Sequence, residues 1–145
     1  MFKLPGIPHF VGAARLAILA VACGGSPAFA QTLKSGEQVY KEVCAVCHAT
    51  GISGAPKFAD KTVWKPLVAE GQHVLTAHAW VGVRAMPPRG GRPDLLLEEF
   101  SRATAYMARA AGANWKDPTP KVLARIQKEE KQRIHQMKEG EKPKK

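Results

Sequence analysis

The chain has 145 residues, 45% of them hydrophobic, and carries 22 Lys and Arg against 12 Asp and Glu, a net charge of +10. That length excludes two full domains, the composition excludes a disordered or fibrous chain, and no apolar run is long enough to span a bilayer. Three cysteines, an odd count, argue against a pure disulfide scaffold, and the basic balance raises nucleic-acid binding as a class to test against where the charges sit.

The first thirty residues read as an export signal: Lys3 and Arg15 as the only charges, the apolar stretch Leu16 to Ala22, then Ala28 and Ala30 at the small-residue positions of a cleavage site before Gln31. A competing lipoprotein-type site ends in Cys23, without the usual Leu three positions earlier. If Cys23 leaves with the signal, only Cys44 and Cys47 remain. An exported protein is not a nucleic-acid binder. The charge itself divides into +2 on residues 1–30, +3 on a compact segment 31–112 and +5 on a tail 113–145.

Within the compact segment the expected elements are helices. Ser35 caps a helix from about Gly36 to Cys47, with Val39, Val43 and Val46 at spacings of four and three. Gly51 to Ala59 reads as loop. Thr62 to Glu70 forms a short helix closed by Gly71, with Pro66 restricting its start, and Gln72 to Val81 forms another closed by Gly82. Arg84 to Pro93, with three prolines and two glycines, is irregular, and Asp94 caps a long helix from Leu95 to Ala111. No segment alternates as a strand does. About 80 residues of short helices bury too little to stand without a staple such as a metal, a disulfide or a cofactor.

Cys44-Ala45-Val46-Cys47-His48 supplies one. C-x-x-C-H is the signature of covalent c-type haem attachment: two thiols three apart share one helix face and reach the two vinyl groups of a porphyrin, and the adjacent imidazole becomes the proximal iron ligand. A thioredoxin-like pair needs a β-α-β pattern that is absent, and a structural zinc site needs a second ligand pair where no cysteine follows Cys47. For the sixth ligand Met86, in the rigid Pro- and Gly-rich loop, is the first candidate, with His73 or His78 as a bis-His alternative. Met107 falls on the apolar face of the last helix and Met137 in the tail.

Gly36-x-x-Val39-Tyr40, the C-x-x-C-H motif, Gly54-Ala55-Pro56-Lys57, Trp64, Met86-Pro87-Pro88-Arg89-Gly90-Gly91 and a final helix with Tyr106-Met107 together resemble a class I cytochrome c over about residues 33 to 111, the ligand loop being most similar to the short bacterial cytochrome c-5 type. The resemblance implies a small all-α fold wrapped round one covalent haem c. It implies that Pro56 accepts the ring N–H of His48 on its carbonyl, and that Gly36 and Tyr40 cross the last helix against Tyr106. Trp64 is either a core tryptophan or an aromatic at the haem edge with its N–H toward a propionate. The extra cysteine pair of many relatives is missing here, and the tail lies outside the family pattern.

Ligation by His48 and Met86 leaves no open iron position, which favours one-electron transfer in the periplasm over bond-making catalysis. Lys57, Lys61, Arg84, Arg89 and Arg92 are candidates for a positive ring that steers an acidic redox partner, or are simply solvated. In the tail, Thr119-Pro120 starts and Gly140 stops a helix whose stripe of Val122, Leu123, Ile126, Ile134 and Met137 is too thin for a coiled coil. It is expected as a solvated or partner-docking extension, with docking on the haem domain or anionic lipid as alternatives; membrane contact runs through this tail or through a lipidated Cys23. The second functional expectation is a dedicated cytochrome subunit of a larger oxidoreductase, attached by residues 113–145.

Overall fold

The computed structural model describes residues 32–140 together with Met1, Phe2 and Gly6, so the expected cleavage site and Cys23 lie outside the described residues. Ser35 starts the first helix through a reciprocal capping box: its hydroxyl accepts the Gln38 N–H, and the Gln38 side chain accepts the Ser35 N–H. Helix α1 then runs as Gly36–Val39, a π-helical turn Tyr40–Cys44, and Ala45–His48. The wider turn, closed by the Ala45 N–H on the Tyr40 carbonyl, ends on Cys44, the first of the two thiols.

Helix α2 is Lys61–Ala69. It starts there because the Asp60 carboxylate accepts the N–H groups of Thr62 and Val63 at 3.0 and 3.2 Å. Pro66 sits inside this helix rather than at its start, and on its exposed side. Helix α3, Gln72–Val81, has the boundaries expected from Gly71 and Gly82. The loop after it is less irregular than expected: Val83 and Met86 form an isolated antiparallel bridge, and Pro88–Gly91 is a 3-10 turn in which Arg89 takes φ of 55°.

Helix α4 is Leu97–Ala110, two residues shorter at its start than the sequence suggests. Asp94 does not cap it. Both of its oxygens are taken by Arg92, at 3.1 Å to Nε and 3.0 Å to Nη2, and Leu96 occupies the cap position without a side-chain bond. The tail forms α5, Pro120–Gly140. Among the described residues there is no strand, and no helix is long and apolar enough to cross a membrane.

Helices α1 and α4 cross through Gly36, which lies against the Arg102 carbonyl and the Tyr106 side chain. Glu99 of α4, itself buried, accepts the Lys34 N–H at 2.9 Å and ties down the entry to α1. The core around this crossing contains Val39, Tyr40, Val43, Cys44, Trp64, Trp80, Phe100 and Met107. Met107 is therefore packing, as its helical face indicates.

Helix α5 is not left in solvent: it belongs to one compact unit with the helices before it and lies along α3. Ile126 is fully buried in that seam. The bonds around it are polar, with Trp80 Nε1 donating to Glu130 at 2.9 Å, Arg125 Nη2 3.2 Å from His73 Nε2, and His78 between Glu70 and Glu129 at 3.5 and 3.6 Å. A thin apolar stripe suffices because carboxylates and cations extend the contact to both sides of it.

Candidate functional site

Cys44 ends the π-helical turn and Cys47 lies three residues on in the closing α-helical turn, so both thiols leave α1 on one side. Both are free; Cys44 is buried and Cys47 half-buried. Removal from water pushes the Cys44 thiol up to about 12, so it stays neutral at ordinary pH.

His48, 7% exposed, closes the same helix. Its Nδ1 lies 2.8 Å from the Pro56 carbonyl oxygen, which fixes Nδ1 as the donor and leaves Nε2 with a free lone pair. The backbone is clamped as well: the Phe58 N–H donates to the His48 carbonyl at 2.7 Å. The loop from Gly51 to Pro56 thus returns on the imidazole and holds both its ring and its main chain.

Around this clamp the aromatic side chains are closely packed. Tyr40 stacks on Phe58 with ring centroids 4.4 Å apart, and Tyr106 meets both rings at 5.6 and 5.5 Å. Burial raises the Tyr40 hydroxyl above its ordinary value, with Tyr106 adding to the shift. Trp64 is 3% exposed and its ring lies 6.4 Å from that of His48. Its indole N–H donates to the Lys57 carbonyl at 2.9 Å, as a core tryptophan's would. Trp64 thereby locks the segment carrying Pro56.

Met86 is half-buried in a tightly closed loop. The Val83 N–H donates to the Met86 carbonyl at 3.1 Å, and the Met86 N–H donates to the Val83 carbonyl at 2.9 Å. Two prolines follow, leaving the segment few alternative conformations. Arg89 lies with its guanidinium 4.6 Å from the centre of the Trp80 ring and donates to the Pro93 carbonyl at 2.6 Å. Of the expected positive ring, Lys57, Lys61, Arg84 and Arg89 are exposed, while Arg92 is spent on Asp94. His73 and His78 are engaged by α5 and Glu70.

The donor set suits a porphyrin better than a bare ion. Among the described residues no three His, Cys, Asp or Glu side chains cluster to hold a metal, whereas two free thiols stand on one side of a helix beside a buried imidazole with an unspent Nε2. Cys44, Cys47 and His48 are the three residues that the C-x-x-C-H motif names, and they lie together on α1. Phe58 lies outside the motif: it interleaves with Tyr40 and Tyr106 and bonds the His48 backbone, and only its position two residues after Pro56 pointed to it.

Known proteins fall into line with this arrangement. The family described as Cytochrome C oxidase, cbb3-type, subunit III matches residues 31–107. Cytochrome c-555 of Chlorobaculum thiosulfatiphilum is 40% identical over 77 residues, covering 50% of this chain and 90% of that protein. Cytochrome c-555 of Chlorobaculum tepidum is 36% identical over 103 residues, covering 68% and 94%, and cytochrome c5 of Azotobacter vinelandii is 35% identical over 77 residues, covering 52% and 93%. A chain from the crystal structure of an electron transfer complex of nitrite reductase with cytochrome c is 43% identical, with a TM-score of 0.52 over 55% of this chain and 99% of that one.

Proposed function

The chain belongs to the class I c-type cytochromes, electron-transfer proteins with one covalent haem c, and on that premise we propose that it is a periplasmic one-electron carrier whose iron is held by His48 and Met86. Bound haem supplies reversible exchange of one electron between ferric and ferrous iron, with thioether ligation and burial favouring the ferrous form. The observation that carries the reading is the His48 ring, fixed by Pro56 with Nε2 unspent, directly after two thiols on the same helix.

Each group has a defined task in this reading. Cys44 and Cys47 provide the covalent anchors. Pro56 orients the imidazole and, by accepting its N–H, makes Nε2 a stronger donor. The bridge between Val83 and Met86 holds the thioether in a fixed backbone setting, so the ligands need little rearrangement when the charge on the iron changes. With His48 and Met86 both holding the iron, the chain would leave no place for a substrate at the metal. Val46 and Ile52 present exposed apolar surface next to the attachment helix, and Lys57, Lys61, Arg84 and Arg89 are exposed cations that would draw in an acidic partner in a salt-dependent way. The likeness to a cytochrome crystallised with nitrite reductase supports a redox protein as that partner.

A second reading, a dedicated cytochrome subunit of a larger periplasmic oxidoreductase attached through the tail, is favoured by the oxidase-subunit description of the matching family. Ile134 and Met137, exposed on α5, are the apolar residues available for such attachment.

The test is spectroscopic. Ferric holoprotein should show the long-wavelength thioether-to-iron charge-transfer band, Met86→Ala should abolish it, and the reduced wild type should not bind carbon monoxide. Absence of the band in the wild type would overturn the Met86 assignment. Capture from periplasm that survives high salt, and is lost on replacing Ile134 and Met137 with polar residues, would support the subunit reading over the mobile carrier.

A further inference from the structure

We propose that Glu130, on the tail helix α5, is a positioning residue for Met86 that acts through Trp80 and Arg89; the proposal rests on Met86 being the sixth ligand. The chain of contacts begins at α5, where the Glu130 carboxylate accepts the Trp80 indole N–H at 2.9 Å. Trp80 is 6% exposed and is held from three directions: by Glu130 of α5, by the edge of Phe100 of α4 at 5.3 Å, and by the Arg89 guanidinium over its face at 4.6 Å.

Arg89 belongs to the segment that leaves Met86, and Trp80 to the helix that leads into it. The two ends of the ligand loop are therefore joined through one indole ring. On the leading side there is no slack. Gly82 ends α3 with φ of +99°, and a Cβ placed on it would lie 3.0 Å from the Pro88 nitrogen and 3.1 Å from the Met86 carbonyl oxygen. A shift of the end of α3 is thus transmitted to the Met86 backbone by direct contact. Helix α5 also flanks the loop itself, since Arg133 and Met137 line a cleft with residues 81–88.

The hydrogen bond and the cation contact reinforce each other. Donation of the indole N–H to a carboxylate makes the ring more electron-rich, and that ring face is what attracts the Arg89 guanidinium. Removing the carboxylate leaves a buried N–H unpaired and weakens the hold on Arg89, which lets the Met86 loop open more often.

Imidazole competes with Met86 for ferric iron, so a titration of the ferric holoprotein, followed by loss of the thioether-to-iron band, reads how firmly the loop is held. Glu130→Ala should raise the affinity for imidazole by about fivefold. Glu130→Gln keeps an acceptor oxygen and should restore it to within about twofold of the wild type. Trp80→Phe, with a ring but no N–H, should behave like Glu130→Ala, and serves where that variant fails to load haem. Lys131→Ala, on the exposed side of the same helix, should leave the affinity unchanged. Wild-type affinity in both Glu130→Ala and Trp80→Phe overturns the proposal. An increase in Glu130→Gln equal to that in Glu130→Ala also overturns it, because charge rather than the hydrogen bond would then be at work. A wild type without the band instead removes Met86 as the ligand, so the two failures are distinguishable.

Discussion

The imidazole Nδ1 of His48 stands 2.8 Å from the carbonyl oxygen of Pro56, so the orientation of this ring is set by a backbone atom that no side-chain substitution deletes. What Pro56 adds is restriction of the loop before folding and a fixed φ after it. Pro56→Ala should therefore cost about 0.4–1 kcal/mol of stability, arising in the unfolded chain, while the hydrogen bond to His48 is retained. Urea unfolding of the holoprotein should show the lower midpoint, and the reduction potential should stay where it was. A shifted potential would mean that the ring had moved.

The crossing of α1 and α4 admits a sharper test. A Cβ on Gly36 would lie 2.3 Å from the Arg102 carbonyl oxygen and 2.7 Å from its carbon, both backbone atoms that cannot swing aside. Gly36→Ala must therefore separate the helices and loosen the ring contacts among Tyr40, Phe58 and Tyr106. The expected loss is about 1–3 kcal/mol or more, read from the thermal midpoint of the holoprotein. A helix-propensity gain alone would raise that midpoint instead, since alanine is the better helix former away from the crossing.

These two sites show why part of the molecule could be read in advance. The attachment motif and the limits of α3 are local: a C-x-x-C-H spacing, and glycines at 71 and 82 whose conformations end the helix on both sides. Helix α4 begins at Leu97 rather than at Leu95 because Asp94 has two uses open to it, a helix cap or a partner for Arg92, and the fork-shaped guanidinium two residues away takes both of its oxygens in charge-assisted bonds. For Trp64 the sequence leaves two roles open, core or haem edge, because the partner of its N–H, the Lys57 carbonyl seven residues away, is a backbone atom that no motif marks. The seat of α5 was the least legible feature. Its apolar stripe is weak, and the residues that fix it, Glu129, Glu130 and Arg125, find their partners about fifty residues away on α3.

Acid titration tests the pairing of Asp94 with Arg92. Hydrogen bonding to Arg92, then to its own backbone, lowers the Asp94 carboxyl from 3.8 to about 2. A carboxyl lowered in the folded state contributes stability that is present above its unfolded value and is lost as pH falls through the folded one, here between about 4 and about 2. The pair is open to solvent, so the contribution is reduced by water and salt. The carboxyl resonance of Asp94 should titrate near 2 in the wild type, and Arg92→Ala should return its midpoint toward the ordinary aspartate value. An unchanged midpoint in that variant would mean that the backbone, not Arg92, lowers it.

The last prediction concerns the hinge between α3 and the Met86 loop. Gly82 has φ of +99° and ψ of 140°, a conformation that side-chain-bearing residues rarely adopt. The space is closed as well: a Cβ would meet the Pro88 nitrogen at 3.0 Å, the Met86 carbonyl oxygen at 3.1 Å and the Pro88 Cδ at 3.1 Å. These neighbours are backbone and a proline ring, so relief requires the loop to move away from the end of α3. Gly82→Ala should cost about 1–3 kcal/mol of stability. It should also disturb the paired hydrogen bonds between Val83 and Met86, which hold the thioether in place. The reduced variant should then bind carbon monoxide at neutral pH while the reduced wild type does not. Cys44 and Cys47, the proposed attachment points, lie on α1 away from this turn, so the variant should keep its full haem content. Carbon monoxide binding with retained haem therefore separates a loosened ligand loop from a failure to mature.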